Sequence, residues 1–344
     1  MVDLYYNSNP CFTRWIVDNQ LLEGAVVVID AGCQGGMHPR WEFFGNYLDF
    51  YGFDPISEAI ASLAQEKATS GRRTYHPYAL GDEDGERQFF VKPRAHGSSF
   101  FHLNPSSIIY RPKRPDPFDA DVRNVAVRRL DTLLTDGVLP RADFIKLDCE
   151  GFEPEILRGA RRYLSASRTI CVVTETGFNV SPHYPRGHFH AVNEILVEYG
   201  LFVFDLNVVR SPRPVYAEAR LQHPLPKRDP RRDVPHLVVG GPRILDVVFC
   251  RDFVAEHTKP EQYPLSTVPG QPSLDEIIKA AMNFELYGLM DCAYDLVVHF
   301  RDRLQSRFKV EEALELLLIP PPHARNTADV VQCLTMLAEL RTKV

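Results

Sequence analysis

Short runs of apolar and β-branched residues alternate with helical patterns over roughly the first 250 residues of the chain. The runs that predict β-strands lie at 25–30, 49–54, 73–80, 143–148, 168–175, 201–206 and 244–250. Helical patterns begin at Ser57, after Gly151 and near Phe189, between several of these runs. Strands and helices that alternate at this spacing predict βαβ units, and therefore an α/β fold with a mostly parallel sheet.

The pattern changes near residue 254. After a proline-rich link at 259–272, residues 273–341 show helical periodicity alone. We therefore expect one domain over 1–253 and a C-terminal helical region over 254–344, which packs on the sheet domain or forms a homodimer. A long stretch at 210–236 carries seven Arg or Lys against three Asp or Glu. A solvated insertion and an acceptor-binding lid are both consistent with it.

Composition narrows the class of partner. The formal net charge of -6 argues against a nucleic-acid binder, which needs a basic face for phosphates. The seven cysteines are scattered without a CxxC pair, so they indicate neither a disulfide framework nor a cysteine zinc site. The first residues do not have the pattern of a signal peptide, and no apolar run reaches the ~18 residues of a membrane span. We expect a cytoplasmic protein without a nucleic-acid or membrane partner.

A glycine-rich turn follows the first predicted strand. In VVVIDAGCQGG the strand ends at Asp30, and Gly32, Gly35 and Gly36 come directly after it. Such a turn lets a ligand approach the backbone at the carboxyl edge of the sheet. Because Gln34 stands where a second glycine belongs, the turn does not match the GxGxxG dinucleotide pattern, which disfavours a nicotinamide-dependent oxidoreductase.

The second predicted strand ends in another carboxylate, Asp54. A carboxylate at this position can accept hydrogen bonds from both hydroxyls of a ribose. Alternatively, Asp54 caps the helix that begins near Ser57. Together with the glycine turn, Asp54 favours a nucleoside site.

The stretch FIKLDCEGFEPEILRGA at 144–160 resembles the signature of the FkbM family of S-adenosylmethionine-dependent methyltransferases. The IKLD strand ends at Asp148, the EG step is Glu150 and Gly151, and LRGA occupies 157–160. Further motifs follow the family's order over about residues 20–253: the turn at 30–36, Asp54, ALGD at 79–82, GSS at 97–99, VRRLDTLL at 127–134 and Glu175.

This resemblance implies a class I methyltransferase (Rossmann-like) fold, with a seven-stranded, mostly parallel sheet and a reversed last strand. It implies S-adenosyl-L-methionine as the cofactor and a hydroxyl of a small molecule or sugar as the methyl acceptor. It places the methionine moiety at Asp30, Gly32, Cys33, Gln34 and Gly36, the ribose at Asp54 and the adenine near Asp82. Family members often carry Glu at the ribose position, so Asp54 is one methylene shorter. A catalytically silent scaffold that binds the cofactor is the alternative.

Two predicted strands end in carboxylates that can take part in methyl transfer. An aliphatic hydroxyl needs a general base or a Lewis-acidic metal before it attacks a methyl group. Asp148 and Glu175 end neighbouring strands, which run ~4.8 Å apart, so both can reach one acceptor hydroxyl. They form either a base with an orienting partner or part of a divalent metal site, for which the sequence shows no third ligand. His183, His188 and His190 are alternative bases.

The remaining charged residues of the signature have more than one interpretation. Glu150 belongs either to the site or to the first turn of the next helix, whereas we assign Glu153 to the helix dipole alone. Lys146 lies in a strand that helices cover, so it needs a partner. Because the first and fourth strands of this fold are neighbours, that partner is expected to be Asp30.

Overall fold

The computed structural model of the chain describes residues 7–92, 97–101, 120–166, 169–178, 188–211, 241–262 and 271–319. Seven of its strands form one large sheet: β1 (Val26–Ala31), β2 (Leu48–Phe53), β3 (Arg72–His76), β7 (Phe144–Leu147), β8 (Cys171–Gly177), β9 (Phe202–Ser211) and β10 (Gly241–Cys250). Their order across the sheet is β3-β2-β1-β7-β8-β10-β9. The neighbours from β3 to β8 pair in parallel, and β10 runs antiparallel to both β8 and β9. This confirms the predicted sheet with its reversed last strand.

The predicted strand 73–80 is wrong as a single element. It divides at Pro77, which has no N–H to continue a ladder. Residues before Pro77 form β3, and those after it form β4 (Ala79–Leu80) in a second sheet with β5 (Gly85–Val91) and β6 (Asp121–Arg128). The order of this second sheet is β4-β6-β5. Neither β5 nor β6 was predicted, because half or more of the residues in each strand are exposed and neither strand forms an apolar run.

Helices flank the large sheet: α1 (Cys11–Asp18), α2 (Ser57–Leu63), α3 (Leu130–Thr135), α4 (Glu153–Arg158), α5 (Arg161–Ala166), α6 (Phe189–Glu198), α7 (Phe253–Thr258), α8 (Leu274–Leu286), α9 (Met290–His299), α10 (Arg301–Leu304) and α11 (Val310–Leu317), with 3₁₀ helices at Pro39–Tyr47 and Pro260–Gln262. The helix predicted after Gly151 breaks into α4 and α5 at Gly159. A Cβ at Gly159 would lie 1.9 Å from the carbonyl oxygen of Gly81, so two backbones touch there. Both helices bury the predicted apolar face: Ile156, Leu157, Ala160, Tyr163 and Leu164.

The C-terminal helices cover one face of the large sheet. Helix α8 begins with a capping box formed by Ser273 and Glu276, and every residue from Ile277 to Leu286 is buried. Its apolar side chains share one core with residues of β1 and β7, among them Val28 and Phe144. Packing on the sheet is therefore how this region buries its apolar face. The boundary at 253 and 254 and a homodimer stay predictions. Within the described ranges, no helix is long and apolar enough to cross a membrane.

Candidate active site

A cavity of about 380 Å³ opens where the parallel strands β1, β2, β7 and β8 end. Its volume falls within the roughly 300–1,000 Å³ that small-molecule sites occupy. Eight of the predicted site residues line it: Asp30, Gly32, Gln34, Gly36, Asp54, Asp148, Glu150 and Glu175. The topology therefore gathers the predicted cofactor and catalytic residues around one space.

The glycine turn lies tightly between β2 and the end of β7. The backbone N–H groups of Gly32 and Cys33 both donate to the carbonyl oxygen of Phe53, at 2.9 and 3.2 Å. Gly32 has φ +84°, and a Cβ there would lie 2.0 Å from the carbonyl oxygen of Asp148. Only glycine fits this position, because it tolerates both the positive φ and the contact with the neighbouring backbone.

Asp54 links the glycine turn to the segment that leads into α2. Its Oδ1 accepts a hydrogen bond from the backbone N–H of Ile56 at 2.9 Å, and its carboxylate also bonds the backbone of Gln34. Burial raises the pKa of Asp54 to about 6, although these two hydrogen bonds act in the opposite direction. Asp54 therefore lines the cavity and holds local backbone, but it does not cap α2, whose N-cap residue is Ile56 and which has no side-chain cap. Its role at the ribose stays a prediction.

Lys146 pairs with Asp30, as predicted. Its Nζ lies 2.8 Å from Asp30 Oδ1 and 3.8 Å from Asp148 Oδ2. Burial lowers the pKa of Lys146, but the charges of Asp30 and Asp148 outweigh it and hold this pKa above its usual value. Asp30 is buried, and its Oδ2 makes no hydrogen bond within the described part of the chain. Asp30 thus lines the cavity with one carboxylate oxygen paired to Lys146 and the other buried without a hydrogen bond among the described residues.

Asp148 and Glu175 follow paired positions of neighbouring strands. Leu147 of β7 lies beside Thr174 of β8, so the two carboxylates come one residue later at the same edge of the sheet. Burial, and then the charges of Asp148, Glu150 and Asp246, raise the pKa of Glu175 to about 8. Asp246 lies directly opposite Glu175 on the antiparallel strand β10. A carboxyl group with this pKa can exchange a proton near neutral pH.

The loop from Asp148 to Gly151, which we call the carboxylate loop, has an unusual backbone. Glu150 and Gly151 both have positive φ, at 54° and 101°. Glu153 contributes more than a favourable charge for the helix dipole, because its Oε1 accepts hydrogen bonds from the N–H groups of Cys149 and Gly151, at 2.8 and 3.2 Å. Burial raises the pKa of Glu153 to about 8. Our assignment of Glu153 to the dipole alone is therefore incomplete.

Two of the predicted cofactor residues point elsewhere. Among the described residues that line the cavity, neither Cys33 nor Asp82 appears. The Cys33 side chain is buried beside Ile60, and burial raises the pKa of its thiol. Asp82 lies 3.4 Å from an Arg87 nitrogen, whereas Leu80, from the same ALGD motif, lines the cavity. The roles of Cys33 and Asp82 at the methionine and adenine stay predictions.

Histidines and metal ligands can be placed only in part. His188 and His190 stack at 5.4 Å, and burial lowers the pKa of His188. Neither is among the described residues that line the cavity, and His183 lies outside the described residues. In the described ranges there is also no group of three or more His, Cys, Asp or Glu that could hold a metal ion. A divalent metal at Asp148 and Glu175 stays a prediction.

Sequence reasoning missed part of the apolar wall. Phe89 of β5 and Phe100 line the cavity, and the Phe100 ring packs on Phe152 with centroids 4.3 Å apart. The FF pair at 89–90 and the aromatic pair after GSS were visible in the sequence. They could not be assigned to the site without the second sheet, which brings them to the cavity.

The carboxylates that line the cavity suit the polar groups of S-adenosylmethionine. Asp30 and Asp54 both line the cavity, and carboxylates can accept hydrogen bonds from the ammonium and ribose hydroxyl groups of this cofactor. Gly35 also lines the cavity, and a Cβ there would meet nothing within 4 Å, so the turn leaves open space for a ligand. These observations agree with the nucleoside site that the sequence predicts.

Comparisons with known proteins give the family. Residues 39–201 match the model of the methyltransferase FkbM domain. A comparison with curated protein sequences gives no match.

Three similar solved structures are methyltransferases with low overall similarity. The magnesium protoporphyrin IX methyltransferase from Synechocystis PCC 6803, with bound SAH, is 9% identical, with a TM-score of 0.32 over 70% of this chain and 80% of that one. A methyltransferase FkbM from Methylobacillus flagellatus KT is 14% identical, with a TM-score of 0.31 over 69% of this chain and 47% of that one. A SAM-dependent methyltransferase from Methanosarcina mazei is 9% identical, with a TM-score of 0.30 over 68% of this chain and 96% of that one. The match over residues 39–201 confirms the resemblance seen in the signature, and this part of the chain is therefore an FkbM methyltransferase domain that uses S-adenosylmethionine.

Proposed function

We propose that this methyltransferase transfers its methyl group to a hydroxyl oxygen of a small-molecule or sugar acceptor. One observation carries the proposal: the carboxylates of Asp148, Glu150 and Glu175 line the same cavity as the glycine turn and Asp54. Carboxylates beside a methyl donor suit an acceptor that must lose a proton, as a hydroxyl does.

In this proposal, different residues of the cavity bind different parts of the cofactor. Asp30 and the glycine turn bind the methionine end of the cofactor, and Asp54 accepts hydrogen bonds from its ribose. When bound, S-adenosylmethionine supplies an electrophilic methyl group on a sulfonium. Phe89 and Phe100 line the cavity and give it an apolar wall.

Glu175 is the proposed general base, and Asp148 its orienting partner. A pKa of about 8 lies close to the pH at which most enzymes work, where a base combines sufficient ionisation with sufficient proton affinity. Lys146, which is anchored on Asp30, lies 3.8 Å from an Asp148 oxygen and orients that carboxylate. Glu175 then accepts the hydrogen bond of the acceptor hydroxyl and removes its proton at a carboxylate oxygen, while Asp148 orients the acceptor beside it.

The proposal also covers the compartment, the partners and the oligomeric state of the enzyme. Each cysteine that the structure describes is free, which suits a reducing compartment such as the cytoplasm. The net charge of -6 supports a partner other than nucleic acid. A homodimer through the C-terminal helices is part of the same proposal and can be checked by light scattering.

The experiment uses S-adenosylmethionine with an isotopically labelled methyl group and a panel of monosaccharides and polyhydroxylated small molecules. Calorimetry first compares S-adenosylhomocysteine with NAD, and we expect only the former to bind. Labelled product should survive mild hydroxide, since a methyl ether is stable there and a methyl ester is not. Label found on nitrogen or in a base-labile ester contradicts transfer to a hydroxyl, and binding of NAD alone contradicts the whole account. Glu175→Gln should bind S-adenosylhomocysteine normally and transfer no methyl group.

A further inference from the structure

The carboxylate loop, Asp148 to Gly151, is held from two sides by residues that do not line the cavity. We propose that Ser99 and Glu153 are positioning residues for methyl transfer, which fix this loop so that Asp148 and Glu150 face the acceptor. The inference rests on the function proposed above, because it assigns no direct chemistry to either residue. Among the described residues that line the cavity, neither Ser99 nor Glu153 is found, so both act through the loop.

The loop has a conformation that its own sequence does not favour. Glu150 has φ 54°, in the left-handed region that side chains with a Cβ rarely adopt, and Gly151 follows with φ 101°. Such a conformation persists only where the surrounding structure determines it, and residues of this kind concentrate at functional sites. The side chain of Glu150 lines the cavity, so the unusual backbone directs a charged group into the site.

Glu153 holds the loop through its N–H groups. Its Oε1 accepts from Cys149 and Gly151, the residues on either side of Glu150, at 2.8 and 3.2 Å. The Glu153 side chain is fully buried, and α4 begins at this residue, so its backbone position is fixed. One carboxylate oxygen therefore fixes the peptide groups that flank the left-handed residue.

Ser99 holds the same loop through its carbonyl group. Its hydroxyl donates to the carbonyl oxygen of Glu150 at 3.0 Å and accepts from the N–H of Phe101 at 3.1 Å. Backbone hydrogen bonds in both directions, at 2.9 and 3.1 Å, tie Ser99 to Phe90 of β5. Ser99 is buried, and Phe100 beside it packs on Phe152, which directly follows the loop.

These contacts connect the second sheet to the carboxylates of Asp148 and Glu150. The hydrogen bonds of Ser99 and Glu153 together fix the carbonyl of Glu150 and the N–H groups of its two neighbours. Because Asp148 and Glu150 are carried on this loop, its displacement would move both carboxylates relative to Glu175. A shift of about 1 Å in a reacting group can cost ~100-fold in rate, so the loop's position matters to turnover more than to cofactor affinity.

The test compares Ser99→Ala and Glu153→Ala with the conservative Glu153→Gln, which keeps an oxygen that can accept both N–H groups. Glu155→Ala is the matched control for Glu153, since Glu155 lies two residues on in α4 and pairs with Arg158 near the surface. Ser165→Ala is the control for Ser99, because the Ser165 hydroxyl bonds only carbonyl groups of its own helix among the contacts described. All variants are made in the full chain.

Two measurements need no acceptor. Amide hydrogen exchange at Cys149 and Gly151 should speed up in Glu153→Ala and return towards the wild-type rate in Glu153→Gln. Carboxyl ¹³C NMR, with Glu175 assigned by its loss in Glu175→Gln, should show a changed Glu175 titration in both alanine variants. The groups facing Glu175 are Asp148, Glu150 and Asp246, and only the first two move with the loop.

Kinetics then separate positioning from folding. With the acceptor that the wild type methylates, kcat should fall by about 100-fold in both alanine variants, while S-adenosylhomocysteine affinity stays within a few-fold. Glu153→Gln should recover most of this loss, and both controls should match the wild type. Alanine variants that fold, bind S-adenosylhomocysteine and keep the wild-type kcat and Glu175 titration overturn the proposal. If Glu153→Ala does not fold, Ser99→Ala decides the matter alone, since it only replaces a hydroxyl by hydrogen.

The outcome is distinguishable from failure of the proposed function. If the wild type methylates nitrogen instead of oxygen, the proposed acceptor is wrong, yet the dependence of turnover on Ser99 and Glu153 can still be measured. If Glu175→Gln abolishes transfer to a hydroxyl and the Ser99 and Glu153 variants keep it, the function stands and the positioning role is wrong.

Discussion

Glu175 lies among three other carboxylates, Asp148, Glu150 and Asp246, and its pKa of about 8 makes its role testable through pH. A general base acts only in its charged form. The rate of methyl transfer should therefore rise about tenfold per pH unit below that pKa and level off above it. The measurement is kcat against pH with saturating substrates. Glu155→Gln, on the nearby helix α4, should keep the same profile, and a profile without this rise assigns the proton to another group.

The raised pKa of Asp54 predicts that pH changes the affinity for S-adenosylhomocysteine and not turnover. Its pKa is raised to about 6, chiefly by burial, and a ribose hydroxyl is best accepted by the charged carboxylate. Affinity for S-adenosylhomocysteine should be constant well above that pH and fall as the pH drops through it. Calorimetry across this range measures the effect. Asp54→Asn should bind more weakly at neutral pH and show no such fall, whereas Asp136→Asn, at a surface pair with Arg128, should behave as wild type.

The contacts of single residues could be predicted where the alternation of side chains along a strand decides which face they share. Lys146 and Asp30 were paired in advance because side chains alternate along a strand and these two strands are neighbours in this fold. The hydrogen bonds of Glu153 to the carboxylate loop were not predictable. They depend on the left-handed backbone of Glu150, and the side chain of Glu150 gives no sign of such a backbone.

At the scale of elements, the glycine turn and the end of β7 are in backbone contact. Gly32→Ala places a Cβ 2.0 Å from the carbonyl oxygen of Asp148 and forces a side chain into a left-handed conformation. The strained backbone alone should cost about 1–3 kcal/mol of stability, and displacement of the turn should also weaken S-adenosylhomocysteine binding. Urea unfolding and calorimetry test this. Gly24→Ala is the control, because its Cβ would meet only Asp275 at an ordinary 3.6 Å.

The elements were predicted where burial imposes a pattern. The large sheet follows from apolar runs such as 25–30, which is buried on both faces in β1. The second sheet was missed because half or more of the residues in β5 and in β6 are exposed, so their sequences do not show a buried strand. Pro77 was visible, but the division it causes between β3 and β4 depends on which sheet each half joins.

At the scale of the whole molecule, the last described helices and the first one are parts of one core. The apolar face of α8 was predictable from its period, but the sequence cannot say what covers that face. The structure covers it with the large sheet and with α1, through contacts between residues more than 270 positions apart. Such contacts between distant parts of the chain leave no local pattern, so the packing of this region required the structure.

Glu285 of α8 provides the sharpest test of this long-range packing. Its buried carboxylate accepts hydrogen bonds from the N–H groups of Phe12 and Thr13, at 2.9 and 2.7 Å, and from the Thr13 hydroxyl at 2.7 Å. Helix α1 has no side-chain cap of its own, so Glu285 satisfies its free N–H groups and meets the positive end of its dipole. Glu285→Ala leaves these donors buried without an acceptor and should destabilise the fold by about 3 kcal/mol in urea unfolding.

The effect of Glu285→Ala should be confined to stability. Glu285 is not among the described residues that line the cavity, so the folded variant should bind S-adenosylhomocysteine as the wild type does. Glu285→Gln keeps one acceptor oxygen and should lose less stability. Glu311→Ala breaks an exposed pair with Arg301 and should change stability by less than about 1 kcal/mol. Equal losses in Glu285→Ala and Glu311→Ala would show that apolar packing alone holds α1 against α8. A much larger loss in Glu285→Ala assigns that role to the buried carboxylate.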